Sequence, residues 1–183
     1  IIEFFRSLSG MEAGLRQRAA EAARILRNER TAFVLVSSPR AEAIDEAVHL
    51  AGALRDGGFP LRAMVINLVN PTEEELQRVS AGLQIPLELL KGPLVEEEKP
   101  RVATEDRLTH VIVDIPVVVR EDSQQVYETI PLGMLVHPDY FITTCLRPNP
   151  ILGEFERCAV RGFTTFWKTR FLLQILHKVA AFY

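Results

Sequence analysis

The apolar and polar positions of this chain follow two different periods. Three β-branched and aromatic runs, Thr109–Val119, Val126–Val136 and Tyr140–Leu146, are separated by the polar segment Arg120–Gln125 and by His137-Pro138-Asp139. Runs of this kind with short polar connections predict an antiparallel meander paired in sequence order. The first run is apolar on both pleat faces, which places it centrally and covered on each side. Pro116 and Pro131 cannot donate to a ladder, so each is expected at a bulge or a strand end. Asp114 interrupts the first run, and a carboxylate buried there must be paired or protonated.

Upstream the period shifts toward the helical one. Residues 11–28 are rich in helix formers, with Leu15, Ala19, Ala22 and Leu26 on one stripe, and Ser9 is placed to cap them. Residues 31–36 predict a short strand. Ser38 and Pro39 predict the cap and first position of a helix whose apolar face is Ile44, Ala47, Val48, Ala51 and Leu54, ended by Gly57-Gly58. A strand over 61–69 then completes a right-handed parallel βαβ unit. Thr72 and Glu75 form a capping-box signature ahead of Leu76, Val79 and Leu83. A second short helix is expected over 85–90 with Pro86 at its first position, and residues 91–108 read as charged and irregular. After a rigid Arg147–Pro150 connection, 151–161 predicts a short helix. From Phe163 onward Phe166, Leu172, Leu173, Ile175, Leu176, Val179 and Phe182 surround much of a helical cylinder, so this helix should pack on two sides or against other subunits, with Phe166, Leu172, Leu176, Val179 and Tyr183 partly uncovered. The expected fold class is α/β: a mixed sheet, made of a parallel βαβ unit plus an antiparallel meander, covered by helices.

Composition narrows the function classes. The chain has 183 residues, 48% hydrophobic and 25% charged, with a net charge of −3, which suits a globular domain and gives no reason to expect nucleic acid. No apolar run approaches the roughly 20 residues of a membrane helix. Cys145 and Cys158 lack metal-ligand spacing, and Cys145 reads as a buried apolar residue. The chain begins with Ile and stops inside a helical pattern, so a fragment of a longer protein is expected.

Candidate chemistry is sparse. Glu96, Glu97 and Glu98 form the densest acidic run, and hard divalent cations prefer clustered carboxylates whose remaining ligands a subunit boundary can supply; the other reading is a solvated charged turn. His49, His110, His137 and His177 show no metal-binding spacing, and His49 and His137 read as surface residues. Ser37 and Ser38 sit at a strand-to-helix turn without a nucleophile-elbow motif. No G-x-x-x-x-G-K-[ST] phosphate loop is present.

Two resemblances follow from separate strings. Thr129-Ile-Pro-Leu-Gly133, Phe141-Ile-Thr-Thr144 and Lys168–Leu176 resemble the soluble N-terminal domain of CorA-type magnesium transporters, over about 67–183. That resemblance implies a cytosolic regulatory domain, truncated in its stalk helix, of a homo-oligomeric (pentameric) parent that carries Mg²⁺, with Co²⁺ or Ni²⁺ as alternatives, and meets the membrane only through C-terminal spans absent here. It also implies regulatory metal held between subunits, with Glu96, Glu97 and Glu98 as the ligands in this chain, although Val95 stands where many relatives carry aspartate. Gly10-Met11-Glu12 is not the Gly-Met-Asn pore signature. The second resemblance rests on Ser9–Glu12, Thr31–Pro39, Glu46-Ala47 and Val65–Pro71, which are similar to the C-terminal part of ArsA-type ATPases over about the first 70 residues, giving an ArsA-like segment 1–66 ahead of the 67–183 domain. It implies an adenine-pocket role for Asn67, followed here by Leu68 rather than the arginine common in that family. Three functions therefore stand side by side: a non-enzymatic regulatory domain, an ATPase fragment without its phosphate loop, and a structural scaffold.

Overall fold

The computed structural model describes residues 2–37, 41–121, 124–163 and 167–183. Ser38, Pro39 and Phe166, and the side chain of Val48, lie outside the described residues. Six strands, β1 (Phe33–Ser37), β2 (Leu61–Val69), β3 (Arg101–Glu105), β4 (Leu108–Glu121), β5 (Gln124–Val136) and β6 (Tyr140–Cys145), form one mixed sheet ordered β1-β2-β6-β5-β4-β3. β1 and β2 are parallel, β2 and β6 are parallel, and β3 through β6 pair antiparallel in sequence order. The expected α/β class, the βαβ unit and the meander are therefore all present. A division of the chain at residue 66/67 falls inside β2, which pairs with β1 on one side and β6 on the other.

The helices are α1 (Ile2–Leu26), α2 (Ala41–Asp56), α3 (Glu73–Leu83), α4 (Leu87–Lys91), α5 (Pro150–Glu156) and α6 (Lys168–Phe182). Pleat alternation divides the core between the two sheet faces. Val65, Val111, Ile115, Leu132, Met134 and Phe141 pack with Phe155, Phe171 and Ile175 of α5 and α6. Met64, Ile66, Leu68, Leu135 and Ile142 pack with Ile44, Leu76, Val79 and Leu90 of α2, α3 and α4. The Thr72–Glu75 capping box forms as expected, Glu75 N donating to Thr72 Oγ1 and Thr72 N to Glu75 Oε2. Asn149 caps α5 through Leu152 N, with Pro150 in the first turn.

Several expectations need correction. α1 starts at Ile2, so Ser9 lies within the helix rather than at its cap, and Leu15 and Leu26 of its apolar stripe are exposed, as is Ile25. Pro86 stands at the N-cap of α4 rather than at its first position. Residues 91–108 are not wholly irregular: a 3₁₀ turn, Gly92–Leu94, precedes β3, whose five residues are all exposed and therefore lack the apolar alternation that signals a strand. β4 is second from the edge, flanked by β3 only from Leu108 to Ile112; Val111 and Ile112 are buried, and Asp114 is half-buried rather than enclosed. Pro116 and Pro131 sit inside strands of unbroken register, opposite Thr129 and Asp114. Their missing N–H groups are tolerated because one flank is open at each: β3 has ended before Pro116, and β6 pairing covers only Leu132–Val136 of β5. α6 buries a single face, Phe171, Ile175 and Val179. Val179, expected to be partly uncovered, is in the core, while Leu173, Phe182 and Tyr183 are exposed.

Gly133 is required by close approach. An added Cβ would overlap Pro93 Cγ of the 3₁₀ turn and stand 2.8 Å from Pro93 Cβ. Gly133→Ala should therefore lower the unfolding free energy by about 1–3 kcal/mol through overpacking. Urea denaturation checks this, and an unchanged midpoint would show that the 3₁₀ turn yields freely.

Candidate functional site

The acidic run sits where the 3₁₀ turn releases the chain toward β3. Val95 N donates to Gly92 O and Glu98 N to Val95 O, at 3.1 and 3.0 Å, so the backbone turns back on itself and the three glutamate side chains diverge. Glu98 pairs with Arg101 at the start of β3. Glu96 is exposed, with Oε1 3.6 Å from Arg147 Nη2. The same guanidinium donates to Glu128 Oε2 of β5 at 3.1 Å. Glu97 is exposed. The run thus supplies carboxylates that are divided between two arginines and solvent. Among the described residues no three His, Cys, Asp or Glu side chains converge as a metal-holding group within this one chain.

Asn67 lies elsewhere, on the opposite sheet face from the 3₁₀ turn. It stands directly across from Thr143 in the parallel β2–β6 pair. Its Oδ1 accepts from Thr143 Oγ1 at 2.8 Å, and its Nδ2 donates to Glu156 Oε1 at 3.1 Å. Both ends of the amide are therefore engaged, and an adenine ring would have to displace Thr143 or Glu156 to reach them. Nearby, Cys145 donates its thiol to Arg147 O and accepts from Asn149 Nδ2. Burial pushes that thiol up to about 11, which fits its reading as an apolar core residue; Cys145 and Cys158 are both free.

Two groups have surroundings that sequence reasoning did not anticipate. Arg147 links the acidic turn to β5, and nothing in its Arg-Pro-Asn-Pro context signals an ion-pair role. His110 is 3% exposed, and among the described residues its Nε2 has no hydrogen-bond partner. Its position in an apolar strand was the available signal, since a lone polar residue on a covered pleat face is costly to leave unpaired. His137 is half-buried rather than on the surface, stacked on Tyr140 with ring centroids 4.5 Å apart. Burial lowers the pKa of both imidazoles, with Arg101 adding to the effect at His110.

No protein-family model and no curated protein matches this chain. Solved structures that share its fold include two of CorA. The soluble domain of CorA from Methanocaldococcus jannaschii has a TM-score of 0.54 at 22% identity, over 64% of this chain and 47% of that one. The complete CorA magnesium transporter from the same organism has a TM-score of 0.51 at 19% identity, over 64% of this chain and 37% of that one. The chain spans less than half the length of either. Among the described residues no helix is long and apolar enough to cross a membrane.

The Asn67 geometry yields a pH-dependent expectation. Asn67→Asp would set a second carboxylate against Glu156 and raise the folded-state pKa of the pair. The resulting repulsion acts while both groups are ionised and fades as pH falls through those raised values. The variant should lose about 1–2 kcal/mol of stability at neutral pH and regain part of it near pH ~4. Parallel urea titrations at the two pH values decide this; an equal loss at both would mean that only the donor mattered.

Proposed function

We propose that this chain is a soluble, non-enzymatic regulatory domain of a CorA-like divalent-cation transporter. The observation that carries the reading is the fold it shares with the soluble domain of the Methanocaldococcus jannaschii transporter. The sequence strings Thr129–Gly133, Phe141–Thr144 and Lys168–Leu176 add to it: Gly133 is the residue against which Pro93 packs, and Phe141 and Phe171 meet in the core with centroids 4.5 Å apart. In this reading the parent is a homo-oligomer, pentameric by family resemblance, that carries Mg²⁺, with Co²⁺ or Ni²⁺ as alternatives.

Regulation would act through charge at a subunit boundary. Glu96 and Glu97 are exposed, and a cation shared with a neighbouring subunit would be held by carboxylates that one chain cannot gather alone. Metal that binds only the assembled arrangement biases the parent toward that state, by as much as its affinity for the two states differs. The exposed Leu173, Phe182 and Tyr183 of α6 supply apolar surface for the same boundary. The ArsA-like reading of 1–66 gains no support from either fold likeness, and the two engaged ends of Asn67 do not favour it.

The test is light scattering of this chain across concentrations, with and without millimolar Mg²⁺. Mg²⁺ should raise the apparent mass, and the double substitution Glu96→Gln and Glu97→Gln should abolish that response without lowering stability. An apparent mass that ignores Mg²⁺ in both proteins would remove the regulatory-metal reading. ATP turnover lost on Asn67→Ala would instead promote the ATPase one.

A further inference from the structure

At the end of the sheet away from Arg147 lies an open cleft of about 720 Å³. It is bounded by the α3–α4 connection, the β3–β4 turn and the β5–β6 turn. Its volume falls in the range of small-molecule sites. Leu83, Pro86, Leu89 and Leu108 give it an apolar side. Arg55 and Arg107 line it with positive charge, and Glu105, Asp106 and Asp139 with negative charge. His110 also lines it, with the buried Nε2 that has no partner among the described residues. His137 contributes a ring whose Nδ1 is already taken by Asp139 N at 3.2 Å.

The lining restricts what can bind. A metal ion is disfavoured because no three candidate ligands converge among the described residues. An anion without a positive group would meet three carboxylates, and a cation without a negative group would meet two guanidiniums. All five of these charged side chains are exposed, so the cost of an unmatched pairing is a like-charge repulsion that solvent weakens, not a burial penalty. A molecule that carries both charges together with an apolar group meets every class of lining residue. We propose that the cleft binds a small zwitterion, a free amino acid or dipeptide with an apolar side chain. Its carboxylate faces Arg55 and Arg107, its ammonium faces the carboxylates, and its side chain lies along Leu83, Leu89 and Leu108. Because Nε2 of His110 is sealed beneath the lining side chains, a ligand group reaches it only by displacing one of them. Both imidazoles line the cleft, so binding should shift the ring signals of His110 and His137 alike. The site is separate from the acidic turn and does not rest on the transporter reading.

Calorimetry and imidazole-selective nuclear magnetic resonance on the full chain test this. The probes are L-leucine, L-phenylalanine and leucyl-leucine; leucinamide and N-acetyl-leucine serve as singly charged controls with the same side chain. At least one zwitterion should bind saturably at millimolar concentration, with a shifted His110 ring. Each single-charge control should bind about tenfold or more weakly, the loss of one charge-assisted contact. Arg107→Gln and Asp139→Asn, both exposed positions where the fold should be unaffected, should each weaken the zwitterion. Equal binding of zwitterions and controls would overturn the assignment of class. No binding by any of the zwitterions would overturn the site.

Discussion

The structure depends on the two-sided pairing of β6. This strand is parallel to β2 on one flank and antiparallel to β5 on the other, so it joins the βαβ unit to the meander. All six of its residues are buried. A strand in that position needs cover on both pleat faces. The aromatic group of Phe141, Phe155, Phe163 and Phe171 supplies one cover, with neighbouring ring centroids 4.5–5.2 Å apart. Leu76, Val79 and Leu90 supply the other. Removing large buried side chains at such a seam costs about 3–5 kcal/mol each for phenylalanine.

Polar groups at this seam bond to one another. Thr143 is buried and gives its hydroxyl proton to Asn67 across the parallel pair, and Asn67 in turn donates to Glu156 of α5. The chain Thr143–Asn67–Glu156 therefore runs from the sheet to the helix covering it, so that one amide helps to fix the position of α5. Arg147, just past the end of β6, ties the same region to β5 through Glu128 and to the acidic turn through Glu96. The seam thus connects the packing of the domain to the charged surface on which its proposed regulation would depend.

Much of this fold was legible in the sequence, and the failures have physical causes. β2 was readable because Leu61–Val69 is largely apolar, interrupted only by Arg62 and Asn67, and the capping box at Thr72 because its two residues stand at a fixed spacing. The meander followed from connection length. β3 was missed because an edge strand with both faces in solvent carries no apolar alternation. The prolines were misread because their cost depends on where neighbouring strands stop, which is a property of the sheet and not of the strand. The acidic run was visible, yet the divergence of its side chains depends on Arg101 and Arg147, one of them nearly fifty residues away in the chain. His110 was named among the histidines, but its sealed, unpartnered nitrogen follows from the packing around it.

If β6 is the seam that holds the two halves together, its amides should open only with the whole domain. Native-state hydrogen exchange at increasing urea measures this directly. The amides of β6 that bond to β2 and β5 should exchange with the free energy of global unfolding, while those of α1, β1 and β3 exchange by smaller openings. If β6 amides exchange as readily as those of the edge strands, the meander and the βαβ unit unfold separately, and the account of a single sheet built on this strand is contradicted.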